Sequence, residues 1–326
     1  MKILRKSLPR PLDAASLMLA VALMVQSNNV FADREPQEWL NRMGVAVQST
    51  SYEGTVIRIQ DGMAEALKVV HTIEDGVIRE KLVAQEGDGL EIIRNGNEVH
   101  HVLPDRRFVL VEEWDDQSTL FSTLPSSDIR FGNEYDIAVV KNERIAGREA
   151  VVLAIRPHDA YRYGHRIWLD TETSFPLQTQ LISEGKAIEQ LKFAEISFNQ
   201  EIQASALQPS YSTEHFTWLR QSSRHEGASI ETSWSSAELP AGFRAVSTHE
   251  EAMHGSDELV THILFSDGLA NVSVFIAAKS GELTVGPARV GGSNSYSVES
   301  GNFEITAMGE VPAITVEQIA TTMRQP

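Results

Sequence analysis

The 326-residue chain contains no cysteine. Disulfides, Cys-ligated zinc, iron–sulfur clusters and thiol catalysis are thereby excluded together, while the redox compartment stays open. The chain is also short of positive charge: 28 Lys and Arg stand against 45 Asp and Glu, a formal net charge of −17. Nucleic acid and anionic membrane faces both reward net positive proteins, so wholesale binding to either is not expected. Long apolar runs are missing too. The run Ala14–Val25 has twelve residues, well short of the about 20 that a membrane-spanning helix needs. What is present is a hydrophobic content of 42%, which belongs to folded rather than disordered chains. At roughly 150 residues per domain, the length predicts about two domains.

The short apolar run follows Lys2, Arg5, Lys6 and Arg10 and precedes Val30-Phe31-Ala32, the small-x-small outline of a cleavage site. Together these predict a secretory signal peptide over residues 1–32, cleaved after Ala32. Its loss removes four basic residues and Asp13, which takes the net charge to near −20. With no lipobox cysteine, the exported chain is expected to be soluble, and periplasmic in a Gram-negative cell.

Pro36, after Asp33 and Glu35, suits a helix start. Trp39, Met43, Ala46 and Val47 then share one helical face. From Tyr52 the apolar period becomes strand-like, with runs at 52–60, 65–73, 77–85, 89–94, 97–103 and 106–112. Asp61-Gly62, Asp75-Gly76 and Asn95-Gly96 punctuate them, dipeptides that supply the positive φ angles of tight hairpins. Residues 114–135 break the pattern and hold Trp114, Leu120, Phe121, Leu124, Phe131 and Tyr135. Strands resume at 136–141, 149–156, 164–170, 176–183 and 187–198. The reading is one helix, about eleven strands of an antiparallel meander curling into a barrel or half-barrel, and one irregular insertion. The polar, Pro209-containing stretch near 205–214 marks a linker. It divides a large domain at 33–204 from a smaller α+β domain at 215–326. Short strands near 229–234, 259–265, 271–278, 296–299 and 303–308 are expected there, with a final helix after Pro312 capped by Thr315-x-x-Gln318.

Catalytic motifs are scarce. His249-Glu250-Glu251-Ala252-Met253-His254 has its histidines at i and i+5, roughly 140° apart on a helix, where a zinc-protease helix needs i and i+4. His100 and His101 point to opposite faces of a strand. Gly291-Gly292-Ser293-Asn294-Ser295 lacks the closing glycine of a nucleophile elbow, and neither a P-loop nor a dinucleotide fingerprint occurs. The adjacent acids Glu112-Glu113 and Asp115-Asp116 read as a solvated rim. No catalytic residue, metal site or cofactor is expected. Against the acidic bulk, Lys141, Arg144, Arg148, Arg156, Arg162 and Arg166 form a basic segment with Tyr161 and Tyr163 interleaved. Its residues are either outward strand positions paired with acids elsewhere or a site for an anionic group, with Arg148, Arg162 and Arg166 as candidates. Trp39, Met43, Trp114, Leu120, Phe121 and Leu124 are candidates to line an apolar, lipid-binding cavity.

The segment Ala160-Tyr161-Arg162-Tyr163-Gly164-His165-Arg166-Ile167-Trp168-Leu169-Asp170, followed by Phe175-Pro176-Leu177, resembles the signature of the MucB/RseB family. So do Arg144-x-x-Gly147-Arg148-Glu149-Ala150, Leu239-Pro240-Ala241-Gly242-Phe243, the run from Ser266-Asp267-Gly268-Leu269-Ala270 to Ile276, and Gly309-Glu310-Val311-Pro312-x-x-Thr315-Val316. The departures are His165, where the family favours Tyr, and Phe175 for Leu. The resemblance implies a periplasmic negative regulator of an extracytoplasmic-stress sigma factor. Such a protein binds the periplasmic part of a membrane anti-sigma factor, shields it from site-1 proteolysis, and lets go in response to lipid or lipopolysaccharide. It implies a mainly β fold, a large half-open antiparallel barrel resembling lipoprotein carriers plus a small α+β domain, and it implies no enzyme. Ser266, Asp267, Gly268 and Leu269 are the candidate partner-binding residues, and a homo-oligomer stays open. A periplasmic lipid or lipoprotein carrier is the alternative, which the large domain alone would serve.

Overall fold

A computed structural model describes residues 35–113, 120, 121, 124, 133–198, 201–220, 230–252, 259–279, 281 and 284–325. The expected signal peptide, Trp114, Asp115-Asp116 and Phe131 lie outside the described residues. Helix α1 (Pro36–Ser49) buries Trp39, Leu40, Met43 and Ala46. Six strands follow: β1 (Tyr52–Gln60), β2 (Met63–Glu74), β3 (Val77–Ala84), β4 (Glu91–Asn95), β5 (Glu98–Leu103) and β6 (Phe108–Glu113). Five more are β7 (Tyr135–Ile145), β8 (Arg148–Pro157), β9 (Gly164–Asp170), β10 (Pro176–Ser183) and β11 (Lys186–Ser197).

The two meanders join where β1 pairs antiparallel with β11. The result is an open sheet that runs β6-β5-β4-β3-β2-β1-β11-β10-β9-β8-β7. Tight hairpins set its register. Asp61-Gly62, Asp75-Gly76 and Glu184-Gly185 all have positive φ at both residues, the backbone of a type I′ turn. Glu184 is exposed and holds a left-handed φ of 48° with no hydrogen bond or ion pair among the described residues to offset it. Glu184→Asn is therefore expected to raise stability by about 0.5–1 kcal/mol, read as a higher urea midpoint.

One face of the sheet is apolar and wraps α1. Trp39, Leu40 and Met43 pack on Val151, Leu153, Ile155, Ile167 and Leu169. Beside them an aromatic group of Tyr52, Phe121, Phe175 and Phe193 packs with Val56, Val69 and Leu82. The architecture is the expected half-open barrel, with a helix filling part of its trough.

The stretch 201–214 is bound to the large sheet rather than simply spanning a gap. Lys81 Nζ donates to the Gln208 carbonyl at 2.6 Å and to Ser210 Oγ at 2.8 Å, and Ser210 N donates to Glu91 Oε2 at 2.9 Å. Strand β12 (Thr217–Arg220), which the sequence reading assigned to the small domain, then adds to the large sheet parallel to β6. It is the twelfth strand, and the edges are β12 and β7.

The second sheet comprises β14 (Arg244–Ala252), β15 (Leu259–Ser266), β16 (Asn271–Ala278), β17 (Gly286–Val290), β18 (Ser293–Ser300) and β19 (Phe303–Gly309). Its order is β14-β15-β16-β19-β18-β17. Helix α2 (Ala313–Thr322) covers one face, with Val316, Ile319 and Ala320 against Ile263, Val272, Val274 and Ile305. The two-residue strands β13 (Ser235–Ser236) and β20 (Met323–Arg324) pair as a short ribbon. Two expectations fail here. No strand occupies the described part of 229–234, and Thr315 does not cap α2. The helix starts after Pro312, while Thr315 Oγ1 donates to the Tyr161 carbonyl at 2.7 Å and Gln318 Nε2 to the Glu238 carbonyl at 2.8 Å. Both side chains that looked like a capping box reach other elements instead.

Candidate functional site

Four of the motifs that carried the family resemblance, those around Arg162, Ala241, Asp267 and Thr315, meet at one seam between the two sheets; the Arg144–Ala150 motif lies at the β7–β8 turn, with Arg148 on Asp170. The loop between β8 and β9 lies at the centre of the seam. Asp159 Oδ1 accepts from Tyr161 N at 3.0 Å, which turns the chain so that Arg162 points inward. The guanidinium of Arg162 is fully buried, hydrogen-bonded through Nη1 and Nη2 and paired by charge with Asp267. Nη1 donates to Asp159 Oδ2 at 2.6 Å, Nη2 to the Ala241 carbonyl, and Nε lies 2.7 Å from Asp267 Oδ2. The rings of Tyr135 and Phe243 flank it at 5.5 and 5.1 Å, a desolvated cation–π arrangement.

Asp267 is equally enclosed, its side chain only 1% exposed. Oδ2 also accepts from Tyr135 OH at 2.8 Å, and Oδ1 from the Leu269 and Ala270 amides at 2.9 and 2.7 Å. Burial, and then the Asp267 charge, push the Tyr135 phenol far above its ordinary pKa, so it stays a donor. A charge this deep is tolerable only when it is paired and hydrogen-bonded by its neighbours. Here they come from opposite sheets. Thr315 on Tyr161, and Asn294 Nδ2 on both Tyr163 OH (3.0 Å) and the Val311 carbonyl (2.7 Å), extend the seam. Gly309, in the last of the motifs, is needed for close approach: a Cβ there would stand 2.2 Å from the Asn271 carbonyl oxygen.

Beside the seam a cavity of about 350 Å³ remains in the trough. Its apolar wall includes Leu67, Leu82, Ile92, Leu120, Phe121 and Leu124, and Arg58, Ser293 of β18 and Glu310 just past β19 line it as well. The tip of the β17–β18 hairpin, Gly291-Gly292, rests on its rim. Gly291 N donates to Asp61 Oδ2 at 3.1 Å and Gly292 N to Glu189 Oε1, an oxygen that also takes Gln60 Nε2 at 2.9 Å. Any side chain on Gly291 would overlap Gln60, its Cβ falling 1.6 Å from Nε2. Two shifted groups face this space. Burial lowers the His165 imidazole to about 4, against a smaller opposing effect of Asp267, so the ring is neutral at ordinary pH. Burial, reinforced by Glu189 and opposed by Arg58, raises the Glu310 carboxyl to about 7.

Of the six candidate cavity residues, Leu120, Phe121 and Leu124 line this cavity. Trp39 and Met43 do not: both are fully buried in the α1 packing and form wall filling rather than surface. Helical phase identifies the buried face but not whether a void or a neighbour lies beyond it. Trp114 is outside the described residues.

The three candidate arginines separate. Arg148 is tied to Asp170 by Nε at 2.6 Å and to Glu172 at 2.9 Å, and it lies over Phe198. Arg162 is the buried seam cation. Arg166 is exposed and, with Arg156, lines a groove of about 530 Å³ that Pro312 and Ile314 complete. Neither Arg156 nor Arg166 has an ion pair among the described residues. Ser266, Asp267, Gly268 and Leu269 form the turn that grips Arg162. Ser266 is buried, Leu269 packs on the α1 cluster, and only Gly268 is exposed. A residue from the anionic-group set thus pairs with one from the partner set, and both serve the seam.

The histidines resolve differently from the motif search. His249 stands on β14 directly across from His262, with Nδ1 of His262 3.2 Å from Nε2 of His249. No group of three potential metal ligands occurs among the described residues. His100 and His101 bond separately to Glu98 and Glu112. Sequence reasoning missed Tyr135, Gly291-Gly292 and Glu310. Glu310 stood in the Gly309–Val316 motif and Tyr135 among the aromatics of the irregular insertion, but neither was given a role, and the paired glycines were read for a different motif.

Residues 35–211 match the MucB/RseB N-terminal domain and residues 228–324 the MucB/RseB C-terminal domain. The sigma factor AlgU regulatory protein MucB of Pseudomonas aeruginosa is 29% identical over 323 residues, covering 94% of this chain and 96% of that protein. The sigma-E factor regulatory protein RseB of Escherichia coli K12 is 28% identical over 316 residues, covering 95% and 96%. The solved Pseudomonas aeruginosa MucA/MucB complex aligns with a TM-score of 0.66 at 26% identity, over 90% of this chain and 99% of that one. A structure of MucB in complex with MucA(peri) aligns with a TM-score of 0.66 at 27% identity, over 89% and 99%. Matched in order across both sheets and nearly end to end, the chain belongs to the MucB/RseB family.

Proposed function

We propose that this chain is an exported, periplasmic negative regulator of an extracytoplasmic-stress sigma factor. It captures the periplasmic part of a membrane anti-sigma factor, shields it from site-1 proteolysis, and releases it when lipid or lipopolysaccharide binds. It acts by binding and performs no catalysis. The observation that carries the reading is the likeness, over both sheets, to MucB solved with MucA(peri). In this reading residues 1–32 are removed, the large domain senses amphiphiles through Leu120, Phe121 and Leu124, and residues of the 215–326 region meet the partner. The Ser266–Leu269 turn contributes by holding the second sheet in position. Arg166, with Arg156, offers charge to a phosphate or a partner carboxylate.

Residues 33–326 are expected to capture the periplasmic part of the cognate anti-sigma factor in a pull-down. Capture of nothing would leave the carrier alternative, to which the cavity of about 350 Å³ also fits. A switch further requires coupling. Saturating partner should weaken amphiphile binding by about 5–150-fold, because linkage is reciprocal. Amphiphile affinity unchanged by partner would sink the two-site mechanism.

A further inference from the structure

Most of the basic segment that runs against the acidic bulk is engaged within the fold. Lys141 donates to Glu143, Arg144 to Glu149 at 2.8 Å, Arg148 to Asp170 and Glu172, and Arg162 lies in the seam. Arg156 of β8 and Arg166 of β9 remain. Both are exposed, and neither makes a hydrogen bond or ion pair among the described residues. Arg166 pairs across the ladder with Ala154, two residues before Arg156, so the two arginines leave one face of the sheet as diagonal neighbours, roughly 7–8 Å apart at the backbone. Like charges this close disfavour each other, and an anion held by both relieves them.

The groove of about 530 Å³ that they line is otherwise apolar in large part. Ile155, Pro157 and Ile182 are joined there by Pro312 and Ile314 at the start of α2, and Ile314 is 48% exposed. The nearby acids are engaged elsewhere. Asp136, directly across from Arg156, lies 3.1 Å from His158 Nε2. Asp159, which also lines the groove, is held by Arg162 and the Tyr161 amide. The first turn of α2 carries no acid. Glu184 is the one carboxylate of the lining without a partner among the described residues, and His165 beside it in the lining is neutral.

We propose that this groove binds a phosphomonoester headgroup, its oxygens taken by Arg156 and Arg166 and the apolar stem of the ligand lying on Ile182 and Ile314. The proposal rests on the reading that these arginines offer charge here, and it decides between the two anions which that reading allows. Two features favour phosphate over a partner's carboxylates. Strands β8, β9 and β10 are interior to the sheet, so their backbone ladders are filled and a peptide cannot add to them as a strand. A phosphomonoester also carries about two negative charges at neutral pH, enough to engage two guanidiniums, whereas one guanidinium fork already matches a carboxylate. The volume lies within the about 300–1,000 Å³ of ligand pockets. A headgroup seated there touches residues of both sheets, next to the Thr315 bond to the Tyr161 carbonyl.

The test titrates residues 33–326 with hexyl phosphate, inorganic phosphate and hexaglutamate by calorimetry. Hexyl phosphate should bind at least about tenfold tighter than either of the others. Arg156→Gln combined with Arg166→Gln should weaken it by at least about tenfold and leave the urea midpoint unchanged, since both side chains are exposed. Ile314→Ala should weaken hexyl phosphate by about three- to tenfold while inorganic phosphate binds as before. Hexyl phosphate binding unmoved by the double substitution would overturn the proposal. Inorganic phosphate binding as tightly as hexyl phosphate would overturn it as well, assigning the groove to the free ion. Hexaglutamate binding tightest, and lost with the arginines, would replace the headgroup by an acidic partner segment and leave the charge reading in place. If no anion responds to the double substitution, the charge reading itself falls.

Discussion

Arg162→Ala is expected to cost about 3–5 kcal/mol, the largest loss available from one seam residue. The physical reason is what remains behind. Asp267 would keep its place, 1% exposed, with Tyr135 OH and two amides for company but no positive charge. Asp159 and the Ala241 carbonyl would lose their donors as well. The loss should lower the urea midpoint by more than about 1 M. The pair's contribution is separable from the cost of an orphan charge. Asp267→Asn keeps the oxygen that accepts from the Leu269 and Ala270 amides, so Arg162→Met combined with Asp267→Asn removes both charges and spares the turn. That double variant should recover much of the stability lost by Arg162→Met alone. If the two single costs simply add, the residues are not energetically coupled and the seam is held by something else.

Phe175→Ala should cost about 3–5 kcal/mol by a different route, through lost packing and the void left behind. Phe175 is fully buried, with ring centroids 4.7 Å from Tyr52, 5.5 Å from Phe121, 5.4 Å from Phe198 and 6.1 Å from Phe193. Four aromatic neighbours, from β1, from β11 and its end, and from the stretch around Phe121, cannot all collapse into the gap, which places the cost high in that range. Phe121 also lines the trough cavity, so the vacated volume adjoins the ligand space. The variant should therefore gain affinity for hexadecanol relative to dodecanol while its urea midpoint falls. A stability loss below about 1 kcal/mol would mean that the cluster relaxes, and unchanged chain-length preference would mean that Phe121 seals the cavity.

Much of the large sheet was legible because its strands are bounded by dipeptides with a conformational reason to turn. Asp61-Gly62, Asp75-Gly76 and Glu184-Gly185 each carry a positive-φ pair, and the apolar period between them needs no tertiary information. Strand β14 was missed because His249, Glu250 and Glu251 have no apolar alternation to betray a strand. Strand β17 begins at Gly286-Pro287 and is almost wholly exposed, so burial left no pattern in it either. The seam could be found only through resemblance. Arg162 and Asp267 lie far apart in the chain, and local windows show one as an exposed basic run and the other as a hairpin turn. Trp39 was legible as buried and illegible as to what buries it. Thr315 and Gln318 matched a cap by spacing, yet the pull of Tyr161 and Glu238 carbonyls from other elements prevailed.

Strand β12 has a consequence for the order in which the protein matures. Thr217–Arg220 supplies the outermost rung of a sheet whose other members all precede residue 198. A chain emerging from its amino end exposes the free ladder of β6 until more than a hundred further residues have followed. Unpaired strand edges recruit other chains, and amino-terminal units tend to fold first during synthesis. The nascent large sheet is therefore vulnerable over a defined interval, and the arrival of Trp218 and Arg220 beside His100 and Glu98 ends it. A fragment cut at residue 204 would remain permanently in that unfinished state, whereas one extended past residue 220 would carry its own edge guard.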